Sequence, residues 1–532
     1  LLVYYVGLFH FCSFCLLLFS FDSVSLVLVY DLFVINLLDY FSFYLFLDWF
    51  SVIFVAILFV IVGSVVSFMV YYFSLEINLI RFVYLFNFFV FSMVLLIVSP
   101  SFFSFLVGWD GLGFISFFLV SWYGCGSSLT SSLKTFLVNR LGDSLYLVSF
   151  VWYFSSFSFS VNSFDCFVVF ILGLALCTKS AIYPFSYWLP EAMAAPTPVS
   201  ALVHSSTLVV AGLYILFRLF DCLSLGFIFL FSFLSLITLF LGSFSALFTL
   251  DFKKLVAYST LSQLGFLGCI LSYGCFDLFF YYLIVHALFK ASMFIVLGTF
   301  MVVGSHNQDV RLLNSLGYST PLVSFFMLLD VSSLFGVPFL SSFYMKELVI
   351  FNSLTLSYSL VYSFLLLFSL LLTFLYSFRF LNIVFSGSCK YLVSVIRSLC
   401  WSVYPFVFLF VYMLLMGVYF FYLDCSDFNL GSSAWLLAMY FFFFFFLMGI
   451  VNYFICSYNY LNLFYLSVSY LNLKFGSFFY LLDSGIFVFS FISSLGVLVY
   501  SHFLWFYYSL VVNNLGYFVY VSLLVLFFIS ML

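Results

Sequence analysis

Long uncharged tracts decide what this chain can become. No residue from 49 to 75 carries a charge, and residues 82–109 form a second such tract, broken only by Pro100. A helix needs about 20 apolar residues to cross the hydrocarbon layer, so the first tract reads as one span and Pro100 divides the second into two. Further candidate spans lie at 130–157, 165–189, 198–220, 224–250, 254–273, 277–303, 321–351, 355–385, 398–423 and 434–456, and the terminal uncharged tract, 484–532, is too long for one. The expected fold is an all-α polytopic membrane protein of about 14–16 transmembrane helices. Composition points the same way: 67% of the 532 residues are hydrophobic, only 6% are charged, and the mean hydropathy is +1.33. No soluble fold survives that balance.

Other readings of the chain are narrower. The net charge of −4 is spread too thinly to suggest a nucleic-acid partner. The first apolar span, 1–19, lacks the basic flank and small-residue cleavage site of a signal peptide. Residues 24–48 alternate bulky apolar groups with Asp31, Asn36, Asp39 and Asp48, a pattern that predicts an extended hairpin outside the membrane. Residues 456–483 read as a surface segment leading into a helix that lies flat. With so few Lys and Arg, loop charges do not set the orientation. The 88 Phe and 40 Tyr residues are what T-rich coding DNA would produce, which hints at a small organelle genome. Cys12 and Cys15 form a CxxC pair without a second pair at metal spacing, and no iron–sulfur, haem, flavin or nucleotide motif is visible. No redox cofactor is expected in this chain.

Only fourteen residues are Lys or Arg, so each one is informative. Lys179, Lys253, Lys254, Lys290 and Lys346 lie in or at the edge of apolar spans. A charge at membrane depth costs about 3 kcal/mol on insertion scales and roughly ten or more in simulations, so a buried one marks an ion or proton pathway by default. Desolvation makes a lysine switchable near neutral pH, and an approaching carboxylate reverses the effect. Snorkelling from a helix end is the plain alternative, strongest for Lys254 and weakest for Lys179. His286 and Lys290 are four apart and share one helix face. His204 is followed by Ser205, Ser206 and Thr207, whose hydroxyls either hold water or bond back to their own helix. Asp110 sits among glycines and needs a cationic partner, for which Lys179 is the best candidate. Arg140 and Asp143 are three apart and are expected to pair. Pro184 breaks the Lys179 helix, and Gly336 with Pro338 breaks the span that ends in Lys346 and Glu347. Broken helices in corresponding positions suggest inverted repeats around a midplane site.

Seven segments then occur in order: LVGWDGLGFISFFLVSWY, LVNRLGDSLYL, KSAIYPFSYWLPEAMAAPTPVSALVHSSTLVVAGLY, DFKKLVAYSTLSQLGFL, HALFKASMF, HNQDVRLLNSLG and GVPFLSSFYMKE. Together they resemble the chain 5 family of NADH–ubiquinone oxidoreductase, the distal antiporter-like subunits of respiratory complex I, over roughly residues 100–350. The resemblance implies two inverted five-helix repeats with broken helices, a lateral helix within about 456–505 and an anchoring helix at about 508–530. It divides the chain into N-terminal helices with the hairpin (1–80), an antiporter-like core (81–385) and a C-terminal part (386–532). It implies proton translocation driven by quinone reduction elsewhere, with NADH, FMN, iron–sulfur clusters and ubiquinone all held by other subunits. Implied partners are chains 4 and 2, accessory subunits and lipids such as cardiolipin, in the mitochondrial inner membrane.

The resemblance carries roles residue by residue. Asp110 stands where the family has a glutamate paired with a lysine, and Lys179 is that lysine. His204 matches the histidine of the next helix, Lys253 the central lysine, His286 and Lys290 the connecting pair, Lys346 the distal lysine and Glu347 the acid that follows it. Three departures stand out: Asp110 is one methylene short, and Ser186 and Tyr282 each replace a frequent histidine. Two other readings remain open at this point. One is an Mrp-type cation/proton antiporter subunit, which would share these motifs. The other is a structural subunit with an inactivated channel, for which the lost histidines speak and the retained lysines do not.

Overall fold

The computed structural model describes residues 28–33, 43–74, 76, 78–99, 102–155, 166–311, 320–336, 341–355 and 360–385, with scattered positions between 6 and 16 and at 409. The chain divides into two compact units, Leu1–Phe428 and Asn429–Leu532, and every described residue belongs to the first. The spans expected at 398–423 (apart from residue 409) and 434–456, the surface segment at 456–483, the lateral and anchoring helices, Cys15 and Pro338 lie outside the described residues. So does most of the span expected at 1–19.

The expected hairpin is present. Strand β1 (Leu28–Phe33) pairs antiparallel with β2 (Phe43–Leu47), with Leu28 opposite Leu47 and an irregularity between Asp31 and Phe33. The chain leaves β2 straight into helix α1 (Trp49–Tyr72). Asp48 caps it: its carboxylate accepts from the Ser51 amide at 3.1 Å, and the Asp48 amide donates to the Ser51 hydroxyl at 2.9 Å. This reciprocal pair satisfies two amides that the first turn of a helix leaves free.

Eleven further helices of more than ten residues follow among the described residues: α2 (Leu79–Val98), α3 (Phe102–Val120), α4 (Gly126–Ser155), α5 (Cys166–Lys179), α6 (Thr197–Arg218), α7 (Leu225–Phe248), α8 (Phe252–Ser272), α9 (Phe276–Val303), α10 (Pro321–Phe335), α11 (Ser341–Thr355) and α12 (Leu360–Phe385). Seven of these twelve helices (α1, α2, α6, α7, α8, α9 and α12) are long and apolar enough to cross a membrane. Helix α4 has the length but carries Lys134, Arg140 and Asp143. The architecture is the all-α polytopic one that the uncharged tracts predict.

Two expected spans are shorter than hydropathy suggested. The 165–189 span ends as a helix at Lys179, five residues before Pro184, because Ala181 takes a left-handed φ of 54° and the next residues form only short turns. Hydropathy does not detect such a turn, since its side chains stay apolar. The 321–351 span is two helices, α10 and α11. Gly336 ends α10 with φ 84°, a left-handed conformation that costs a residue with a Cβ about 1–2 kcal/mol.

Helix α9 is the hub. It is buried along nearly its whole length and packs against α1, α6, α8, α10 and α11. Helices α2 and α7 each show one buried face and one lined with exposed large apolar residues, such as Phe88 and Phe91 of α2 and Phe229 and Phe233 of α7, as lipid or neighbouring subunits would require. Helices α5 and α6 pack closely at Gly212, where a Cβ would stand 2.7 Å from the Leu176 carbonyl and 2.9 Å from the Ser180 amide. That contact fixes the turn that carries Lys179.

Candidate functional site

Helix α5 delivers Lys179 to a fully buried position at its last residue. Its Nζ donates to the Trp109 carbonyl of α3 at 2.5 Å and lies 3.9 Å from the Trp109 ring centroid. The Trp109 indole in turn donates to the Asp143 carboxylate of α4 at 2.7 Å. Arg140 reaches Asp143 at 3.1 Å and Asp110 at 3.7 Å, with its guanidinium 4.0 Å above the Phe114 ring. Trp109 thus links Lys179 to Asp143, its carbonyl taking the ammonium and its indole meeting the carboxylate. Two carboxylates and two cations therefore share one pocket.

The backbone from 180 to 196 is irregular, and it ties this pocket to the next. The Trp188 indole donates to the Thr178 carbonyl at 3.0 Å, holding the segment against the end of α5. Its far end offers the Ala195 carbonyl to Lys253 of α8 at 3.0 Å. Helix α6 begins just beyond it, with a π-helical stretch at Ser200–Thr207. There Ser206 and Thr207 bond back to the Leu202 carbonyl at 3.1 and 2.9 Å, and Ser205 to that of Ala201. Wide turns of this kind collect at functional sites. His204 sits within it, buried, its ring 6.1 Å from that of Trp188, and both ring nitrogens lack a partner among the described residues.

The second half of the row runs through α8 to α11. Lys290, fully buried on α9, donates to the Ser259 hydroxyl of α8 at 2.7 Å. His286 lies one turn before it, buried, with both ring nitrogens unpartnered. Lys346 of α11 donates to the carbonyls of Leu334 and Phe335 at the C-terminal end of α10, at 2.5 and 3.2 Å. A helix end of that polarity favours a cation. Glu347 is buried but makes no ion pair with Lys346 among the described residues, since adjacent helical residues point apart. Lys254, by contrast, is half exposed and pairs with Asp251 at 3.1 Å, as a surface lysine does.

Residues 99–375, more than half of the chain, match the family described as NADH:quinone oxidoreductase/Mrp antiporter, transmembrane. The NADH-ubiquinone oxidoreductase chain 5 of Locusta migratoria is 40% identical over 314 residues, 57% of this chain and 55% of its own length. The counterpart from Anopheles arabiensis is 39% identical over 322 residues, 58% of this chain and 83% of its own length. The chain belongs to the NADH-ubiquinone oxidoreductase chain 5 family. It spans about half the length of the locust relative. A solved Mrp complex from Dietzia sp. DQ12-45-1b shares the chain 5 fold, with TM-score 0.68 and 24% identity over 78% of this chain and 47% of that one.

Against the chain 5 pattern, the structure brings Lys179 and Asp143 into one pocket and leaves Asp110 at its edge. The expected direct pair of Asp110 with Lys179 is not formed. Asp110, one-third exposed, pairs with Arg140 instead, because its short side chain stops there while the carbonyl and ring of Trp109 occupy the Lys179 ammonium. Arg140 and Asp143 do pair. Tyr282, where the family often has a histidine, gives its hydroxyl to Gln263, and Gln263 and Ser262 meet the Tyr376 hydroxyl of α12 at 3.4 and 3.1 Å. Asp330, buried on α10, also belongs to this region, and its signal in the sequence is the lone acid of the apolar run PLVSFFMLLDVSSLF. Arg218, which no motif marks, forks onto Asp48 and the Tyr214 hydroxyl and pins α6 to the start of α1.

Proposed function

We propose that the chain translocates protons as a distal membrane-arm subunit of respiratory complex I, in the mitochondrial inner membrane, driven by electron transfer from NADH to ubiquinone in other subunits. One observation carries the reading. Lys179, Lys253, Lys290 and Lys346 are all buried, and none has a carboxylate within 4 Å among the described residues. An ion pair built for stability would be closed; a buried amine without a fixed counter-charge can change its own charge once a base reaches it. Asp110, Asp143, Arg140, His204, His286 and Glu347 tune or bridge these amines, and the breaks at 180–196 and at Gly336 bring polar backbone to them. The NADH, FMN and iron–sulfur chemistry belongs to partner subunits. Chains 4 and 2, accessory subunits and cardiolipin are the expected neighbours.

The test is Lys179→Met in the assembled complex, reading protons pumped per NADH oxidised. A fall in that ratio is expected; an unaltered ratio removes Lys179 from the path. The shared fold of the Mrp complex supports a second reading, a cation/proton antiporter subunit. Co-purification decides between them: redox subunits mark the first and other antiporter subunits the second.

A further inference from the structure

Resting on the transport reading above, we propose that Asp330 is an additional proton carrier, set between Lys290 and Lys346. It is the sole charged residue of α10 and is 3% exposed. Burying a carboxyl in a membrane helix is costly, and such groups mark ion pathways. Here it is not neutralised by a close cation, since no ion pair to it lies within 4 Å among the described residues.

Its hydrogen bonds are arranged for two protonation states. The Ser292 hydroxyl of α9 lies 2.6 Å from Asp330 Oδ1 and 2.9 Å from the Phe289 carbonyl. One hydroxyl proton cannot serve both acceptors fully. With Asp330 ionised, Ser292 donates to the carboxylate. With Asp330 protonated, the acid donates to Ser292 Oγ, and Ser292 donates to the Phe289 carbonyl. Both states are satisfied by rotating a single hydroxyl. The other oxygen, Oδ2, is buried without a partner among the described residues, which leaves one site open for an arriving proton.

The position suits a bridge. Ser292 is two residues beyond Lys290, and Lys290 and Asp330 attract each other. One turn further along α10, the Leu334 and Phe335 carbonyls hold Lys346. Ser259, which binds Lys290, lines one small gap together with Val331 and Leu334 of α10. The step breaks an N–H bond of the Lys290 ammonium and forms an O–H bond on Asp330, leaving a neutral amine and a neutral acid. The O–H bond then breaks and the proton joins the neutral Lys346 amine. Each transfer proceeds directly or through water and needs no other reactant.

The experiment uses Asp330→Asn, Asp330→Glu and Ser292→Ala in the assembled complex, beside Lys179→Met. Assembly is checked by NADH oxidation with an artificial acceptor. Asp330→Asn is expected to slow NADH-driven proton translocation about tenfold or more, while Asp330→Glu restores most of the rate. Redox-difference infrared spectra should show a carboxylic-acid band that vanishes in Asp330→Asn and moves in Ser292→Ala. A purely structural role would leave no such band. Wild-type pumping in Asp330→Asn, or a band that neither variant alters, overturns the assignment. If Asp330→Asn does not assemble, an unmoved band in Ser292→Ala overturns it alone. Loss of pumping in Lys179→Met with normal pumping in Asp330→Asn sinks only Asp330; normal pumping in both sinks the transport reading itself.

Discussion

Arg140→Met is the most searching perturbation of the Lys179 pocket. Arg140 lies 3.1 Å from Asp143 and 3.7 Å from Asp110. Two unit charges at 4 Å attract by about 4 kcal/mol at an effective dielectric constant of 20. The Asp143 side chain is 9% exposed, but that of Arg140 is 31% exposed, so solvent screens part of the attraction. The loss should fall between that of a surface pair and that of a buried one, about 2 kcal/mol in stability. It also has a functional sign. With Arg140 gone, Lys179 alone answers two carboxylates, and the proton that must leave it leaves more slowly. If about 1.4 kcal/mol of the change appears in that step, transport slows about tenfold. Arg140→Lys keeps the charge but loses the planar fork and the stacking on Phe114, so it should fall between. The assay pairs thermal dissociation of the isolated complex with proton uptake by NADH-energised vesicles. Arg140→Met with normal melting and normal uptake would refute the claim that Arg140 balances this pocket.

Three further outcomes are expected. Burial raises the proton affinity of Asp48, but hydrogen bonds and charge from Arg218 and the bonds to Ser51 outweigh it and hold the carboxyl below its usual 3.8. Its stabilisation is therefore full above about pH 4 and lost as pH falls through the lower folded value, so the melting deficit of Asp48→Asn, about 1–2 kcal/mol at neutral pH, should vanish in acid. Gly336→Ala forces a Cβ into φ 84° and to 3.2 Å from Lys346 Cδ; a stability loss of about 1–2 kcal/mol with slowed proton uptake is expected, and normal uptake would show that the α10 end does not set Lys346. Tyr282→Phe strands the Gln263 carbonyl oxygen and should cost about 1–3 kcal/mol in thermal stability with protons per NADH unchanged; a lowered ratio would place Tyr282 in the path.

Much of this was legible in the sequence. The bounds of α7, α8 and α9 follow the apolar spans read from the sequence within a few residues, because length and hydropathy largely define a membrane helix. The hairpin was legible from alternation. The buried lysines stood out because a charge inside an apolar run has few innocent explanations. Their partners did not stand out, since Lys179 meets Trp109 across 70 residues and Lys253 meets Ala195 across 58. Such contacts depend on how helices pack, which hydropathy does not encode. The π-helical stretch around His204 was hidden for another reason: a shifted hydrogen-bond register leaves composition unchanged. Asp110 shows the limit of transferring a motif, for one missing methylene redirects the carboxylate to Arg140.

Three of the four buried lysines rest against backbone carbonyls: Trp109, Ala195, and Leu334 with Phe335. A carbonyl oxygen accepts a hydrogen bond but is far too weak a base to accept a proton. Each of these contacts is therefore an electrical dead end. Under the transport reading, an idle complex is insulated against back-leak, because no lysine parked on a carbonyl has anywhere to send its proton. Conduction begins only when an ammonium leaves its carbonyl for a group that is a base. Under that reading, the Ala195 carbonyl at the end of the irregular 180–196 backbone is a stopper at Lys253, as the Trp109 carbonyl is at Lys179 and the end of α10 at Lys346.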